Sequence, residues 1–161
     1  MALTASIVYG TSTALTCTLA SLATSSGLTV GRESASIDNT STLADDYAAS
    51  FLVTTGTSPT AGQIQIWAIF SEDGSNYDGN ATGSDAGLTP VPKENMKLVQ
   101  SIPTTSTSNQ AYRYSIGSLA RLAGQPLRKM SFFVTHNTAV NLNSTGGNHS
   151  ITYTSIKYSS A

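Results

Sequence analysis

Charge is scarce in this sequence. Only 11% of its 161 residues are charged, less than half the ~25% usual for soluble domains. The eight basic residues (Arg32, Lys93, Lys97, Arg113, Arg121, Arg128, Lys129 and Lys157) are scattered and the formal net charge is −1. No basic stripe is available to neutralise phosphates, which argues against a nucleic-acid partner. Cysteine is scarcer still. Cys17 stands alone, which excludes an internal disulfide framework and a cysteine-rich metal site. Flanked by Leu15 and Leu19, it reads as a small buried hydrophobe. Two histidines, His136 and His149, are too few for a histidine-rich metal site, and neither HExxH nor Gly-x-Ser-x-Gly occurs. No apolar run approaches the ~20 residues that cross a bilayer, so no membrane partner is expected. The start, MALTASIVYGTSTALTCTLA, has no basic segment and no unbroken apolar core, so a signal peptide is not expected. The sequons at Asn39, Asn80, Asn143 and Asn148 then reflect a chain rich in Ser and Thr rather than glycosylation.

What is abundant is hydroxyl. Roughly three residues in ten are Ser or Thr, with 39% hydrophobic, which suits strands with one solvated face. Leu15, Cys17 and Leu19 alternate with Thr, and Glu33, Ala35 and Ile37 alternate with Arg32, Ser34 and Ser36. YAASFLVTT at Tyr47–Thr55 and QIQIWAIF at Gln63–Phe70 are dense strand candidates. In the latter, Ile64, Ile66, Ala68 and Phe70 form one face, and Trp67 and Ile69 make the second half apolar on both faces. Lys97–Ile102 and Ala111–Ile116 continue the pattern. Phe132–Val134 and Ile151–Tyr158, around Asn143–Asn148 with its Gly-Gly, read as a hairpin in the middle of a sheet. The apolar period slips by one near Thr154-Ser155, which predicts a β-bulge or a change of buried face.

SLARLA at Ser118–Ala123 is the only helix-like segment, ended by Gly124 and Pro126. These features predict an all-β fold: one antiparallel β-sandwich of jelly-roll or Greek-key type spanning 1–161. It has about eight to ten strands and at most one short helix near 118–123. Residues 1–19 read as an extended N-terminal arm able to add a strand to a partner's sheet edge, or as a frayed terminus.

Chemistry has few places to reside. His136 and His149 read as structural hydrogen-bonders. Several of the nine carboxylates lie beside Gly or Asn, where Asp serves turn geometry, so a hydrolase pair is not favoured. The long excursion Ser71–Pro92 has no apolar period. It gathers oxygen ligands, and Asp73, Ser75 and Asp78 form a weak calcium candidate that lacks the EF-hand spacing. No catalytic residue, no cofactor and no other metal site is assigned.

Three phrases carry a resemblance. GRESASIDNTS, SFLVTTGTSPTAGQIQIWAIFSEDG and FFVTHNTAVNLNSTGGNHSITYTSIKY resemble small structural proteins of tailed bacteriophages. The resemblance implies a jelly-roll-like capsid decoration (cement) protein, not an enzyme, on the exterior of the virion. It would be made in the host bacterial cytoplasm, bind the major capsid protein, stabilise the expanded shell and self-associate as a dimer or trimer. The alternative expectation is a tail-fibre or tail-tip module that holds host carbohydrate through Trp67, Tyr77 or the Ser71–Asp85 loop.

Overall fold

Strands form where apolar and polar positions alternate, because a pleated chain sends successive side chains to opposite faces. The computed structural model describes residues 5–160. Its strands are β1 (Ala5–Tyr9), β2 (Thr13–Leu15), β3 (Gly31–Glu33), β4 (Ile37–Asp38), β5 (Asp46–Thr54), β6 (Gly62–Ser71), β7 (Ala86–Leu88), β8 (Lys97–Thr104), β9 (Ala111–Ile116), β10 (Lys129–His136) and β11 (Ser150–Ser160). Two short helices, α1 (Asn39–Thr42) and α2 (Leu119–Ala123), and three 3-10 turns complete it.

All strand pairs are antiparallel. One sheet runs β1-β11-β5-β9, with β2 continuing β1 along β11. The other runs β7-β3-β10-β6-β8, with β4 continuing β3 along β10. If β1–β2 and β3–β4 are taken as single interrupted strands and β7 is set aside, the remaining eight connect as a jelly roll. Phe51 of β5 and Phe132 of β10 meet edge to face between the sheets, with centroids 4.9 Å apart. Around them Tyr47, Val53, Ile64, Ile66, Met130, Val134, Leu119 and Ile151 fill one core.

A second, smaller core lies on the other face of β6 and β10. Ile69, Leu88, Met96 and Phe133 form it, and Trp67, Tyr77 and Ala81 pack against it. The segment between β6 and β8 is therefore a folded cover rather than a loose loop. It explains why β6 is apolar on both faces in its second half only.

Several expectations are corrected. β10 and β11 do not form a hairpin. Each lies inside a sheet, but β10 pairs with β3, β4 and β6, whereas β11 pairs with β1, β2 and β5. The connection through 137–149 crosses from one sheet to the other, with Leu142 buried in the core. Gly146 and Gly147 stand at negative φ in a 3-10 turn rather than in a reversal. The irregularity near Ser155 is real, but its extra residue lies on the opposing strand. Tyr9 faces Ile156 and Thr13 faces Tyr153, so three residues oppose two, while β11 runs unbroken. A Cβ on Gly10 would meet the Ser155 hydroxyl, so a larger residue there would have to turn that side chain aside. The buried face also changes there, because Ile156 is buried although Ile151 and Tyr153 occupy the other face.

Glu33 and Ile37 do not share a face. Glu33 pairs with Phe133 and Ile37 with Met130, so residues 34–36 oppose two residues and the face inverts. The short helix near 118–123 is present as α2, but α1 is a second one. Asp38 caps it by accepting from Thr40 N at 2.9 Å, a local bond that NTST shows no helical period to announce. The N-terminal arm is not free over β1 and β2, which complete the molecule's own sheet. Residues 1–4 of that arm lie outside the described residues. Among the described residues no helix is long and apolar enough to cross a membrane.

Candidate functional site

Both histidines sit where the TTGTSP and NTAVNLNSTGGNH segments lock together at one end of the sandwich. Asn143 N donates to Thr54 O and Thr60 N to Thr138 O, and a Cβ on Gly56 would lie 2.1 Å from Asn141 O. His136 is fully buried. Its Nε2 lies 3.0 Å from Leu22 O and its Nδ1 3.0 Å from Thr138 Oγ1. His149 Nδ1 accepts from Thr54 N at 3.3 Å, so its Nε2 carries the proton and donates to Asn143 O at 2.9 Å. His136 ties the end of β10 to the Leu22 main chain and His149 ties the Thr54 main chain to that of Asn143, so both are structural hydrogen-bonders, as the sequence predicts. Ser21, Gly56, Thr57, Asn109 and the 140–144 segment enclose a shallow depression of about 300 Å³ there, with neither imidazole on its wall.

The cover over β6 and β10 is fastened by a carboxylate that sequence reasoning passed over. Glu33 is 1% exposed. Its oxygens accept from Thr82 N at 2.9 Å, Gly83 N at 2.6 Å and Ser131 Oγ at 3.0 Å. A second fastening joins Arg32 Nε to Asp85 Oδ1 at 2.6 Å, and Asp85 also accepts from Thr18 N and Thr18 Oγ1. Neither was legible, because the donors are main-chain groups or lie more than forty residues away. A Glu in an otherwise alternating strand gives no sign of which face it takes when a bulge follows.

Asp73 Oδ1 accepts from Ser75 N and Asn76 N, each at 2.7 Å, and Oδ2 from Asn76 Nδ2 at 2.6 Å. These bonds hold its carboxyl well below the usual range, and they show a turn closed on itself. Asp78 lines the same shallow surface as Asp73, and burial raises its carboxyl. Ser75 contributes its N–H to that turn. Among the described residues no group of three or more His, Cys, Asp or Glu is gathered so as to hold a metal ion. Trp67 is half-buried. Its Nε1 donates to Gln65 Oε1, and Lys93 Nζ sits 4.4 Å from its ring centroid.

Other carboxylates are bound to the backbone too. Asp46 Oδ1 accepts from Leu119 N at 3.0 Å and Ala120 N at 2.8 Å, tying α2 to β5. Asp45 accepts from Tyr158 N. Asn39, the first sequon, has both amide atoms engaged with Ala44, Tyr47 and Leu127. Cys17 is partly buried against the core, and burial pushes its thiol up to about 12.

These contacts set a pH dependence. Burial would raise Asp85, but hydrogen bonds from Arg32 and Thr18 outweigh it and hold the carboxyl at about 2. Bonds from Thr40 and then Lys129 hold Asp38 at about 2. Burial keeps both imidazoles below their ordinary value, against opposing bonds to Leu22 and Asn143. In each case the unfolded chain binds protons more readily, so stability rises with pH. The histidine contribution is complete above about 6.5 and is lost as pH falls below it. The carboxylate contribution is lost between about 4 and 2. Thermal unfolding followed by circular dichroism from pH 8 to 2 should show a shallow decline, then a steep one. A midpoint unchanged between pH 7 and 5 would refute the histidine part, and Asp85→Asn should flatten the lower part.

The remaining candidate is a surface. Beyond Ile156 the strands β1 and β11 continue as a two-stranded ribbon with both faces in solvent and apolar side chains outward. Comparison of the chain with protein-family models, with curated proteins and with solved structures finds no match.

Proposed function

We propose that this protein is a non-enzymatic structural component of a tailed-phage virion: a capsid decoration protein that binds the major capsid protein on the outer surface of the head. The observation that carries this reading is where the three resembling phrases fall. They are β3–β4, β5–β6 and β10–β11 with their connections, which form the inner strands of both sheets and the interlocked loop end. The resemblance is therefore one of framework, not of a single loop. In support, Glu33, Asp46, Asp85, His136 and His149 are committed to joining segments of the fold. A rigid body that binds only the expanded shell stabilises that state by mass action and needs no reactive group.

Quantitative mass spectrometry of purified virions is expected to find this chain in copy numbers of the same order as the major capsid protein. A handful of copies per particle would sink the proposal and favour the tail. The carbohydrate reading is less well supported, because Lys93 already covers one face of Trp67 and the Ser71–Asp85 segment is tied down by Glu33 and Arg32.

A further inference from the structure

Ile7, Val8, Tyr9 and Tyr158 are 56, 51, 65 and 59% exposed, and they are half of the eight large apolar side chains exposed among the described residues. All four lie on one ribbon end, so this is a patch rather than scatter. β5 begins at Asp46, opposite Ile156. Beyond that point only β1 and β11 pair, and a two-stranded piece alone is marginal in water. Among the described residues β1 pairs with β11 and nothing else. Its sequence ASIVY contains no charge and no proline, the devices that keep natural sheet edges apart.

We propose that this edge pairs with the same edge of a second copy, β1 against β1, antiparallel about a two-fold axis at Ile7. Gly10 N donates to Ser155 O at 2.8 Å, so the alternation of an antiparallel ladder turns the N–H and C=O of Ile7 and Tyr9 to the open side. Setting Ile7 opposite Ile7 of the second copy, and Tyr9 opposite its Ala5, completes up to about six main-chain hydrogen bonds.

Ile7 pairs with Tyr158 and Tyr9 with Ile156, so these four share a face. The join would align Tyr158, Ile7, Ile7 and Tyr158 across four strands. Val8 lies on the other face, opposite Lys157. A self-pairing edge closes as an isologous dimer. Edge pairing buries only the parts of these side chains that lie beside the new strand, chiefly Ile7 against Ile7, while Tyr158 stands one strand back on β11. The association therefore rests on the main-chain ladder and belongs to the small, reversible class of interface. No charge on β1 selects a different partner. The opposite edge of that sheet, β9, presents Arg113 and none of the large exposed apolar side chains.

The proposal concerns the isolated chain and does not rest on the virion reading. Sedimentation equilibrium of the purified protein at about 100 μM should give twice the 16.7 kDa monomer mass. Ile7→Lys should weaken association at least about tenfold, with an unchanged thermal midpoint when both proteins are diluted to the monomer, since the side chain is exposed there. In a Cys17→Ser background, Ile7→Cys should oxidise to a disulfide-linked dimer, because paired residues at a two-fold stand about 5.5 Å apart, within disulfide reach. Val8→Cys, opposite Ser6, should not. A monomeric wild type, a dimer that survives Ile7→Lys, or cross-linking equal at both positions would each overturn the proposal. So would a monomer whose β1 edge is protected from hydrogen exchange only on phage heads.

Discussion

Glu33→Ala is expected to lower stability by about 3–5 kcal/mol and to free the cover over β6 and β10. The buried carboxylate accepts from two main-chain N–H groups and one hydroxyl. Each donor left without a partner costs about 1–3 kcal/mol. For a chain this size, about 1 kcal/mol moves the midpoint by roughly 2–4 °C, so a drop on the order of 10 °C is expected. Hydrogen exchange separates this from general weakening. The amides of Thr82 and Gly83 should lose protection first, and limited proteolysis should cut within 72–96 before it cuts elsewhere. If the variant melts like the parent, or loses protection uniformly, Glu33 is not what fastens the cover.

Phe132→Ala is expected to cost about 3–5 kcal/mol, the range for an aromatic side chain removed from a closed core. Phe132 is fully buried, and its ring meets Phe51 at an interplanar angle of 88°. The two rings belong to opposite sheets, so a double-mutant cycle between them reads the layer arrangement directly. A coupling of about 0.5–1.5 kcal/mol is expected from the edge-to-face pair. Additive single effects would mean that β5 and β10 do not face each other, and the jelly-roll assignment would fall.

The strands were legible because burial on one face imposes a period of two. Ile64, Ile66, Ala68 and Phe70 do line the main core, and Trp67 and Ile69 do meet a second layer. What alternation does not encode is which strand lies beside which. Phe132–Val134 and Ile151–Tyr158 read as partners because they are sequential and flank a Gly-Gly. The intervening segment is long enough to cross the sandwich, and Leu142 within it is held by the core. Register was hidden for a similar reason. The bulge at 34–36 moves Glu33 to the face opposite Ile37, and only the structure counts residues on both strands. His136 and His149 read as structural hydrogen-bonders, and both do bond main-chain groups, but they frame no hairpin: His136 ends β10 in one sheet and His149 precedes β11 in the other. Glu33 was missed because two of its donors are peptide N–H groups, which every residue carries, and the third is the hydroxyl of Ser131, distant in sequence.

The pairing of β1 with β11 sets an order of events. Sheet formation along this edge joins Ala5 to Ser160, Ile7 to Tyr158 and Tyr9 to Ile156, the most distant segments of the described chain. The entropy of closing so long a loop must be met before those contacts return anything, which makes such topologies slow to fold. During synthesis β1 emerges early and waits uncovered until β11 has left the ribosome. An uncharged, apolar edge strand is most exposed to wrong partners in that interval. Crowded, rapid expression should therefore favour aggregation through the same five residues that the finished molecule presents to its second copy.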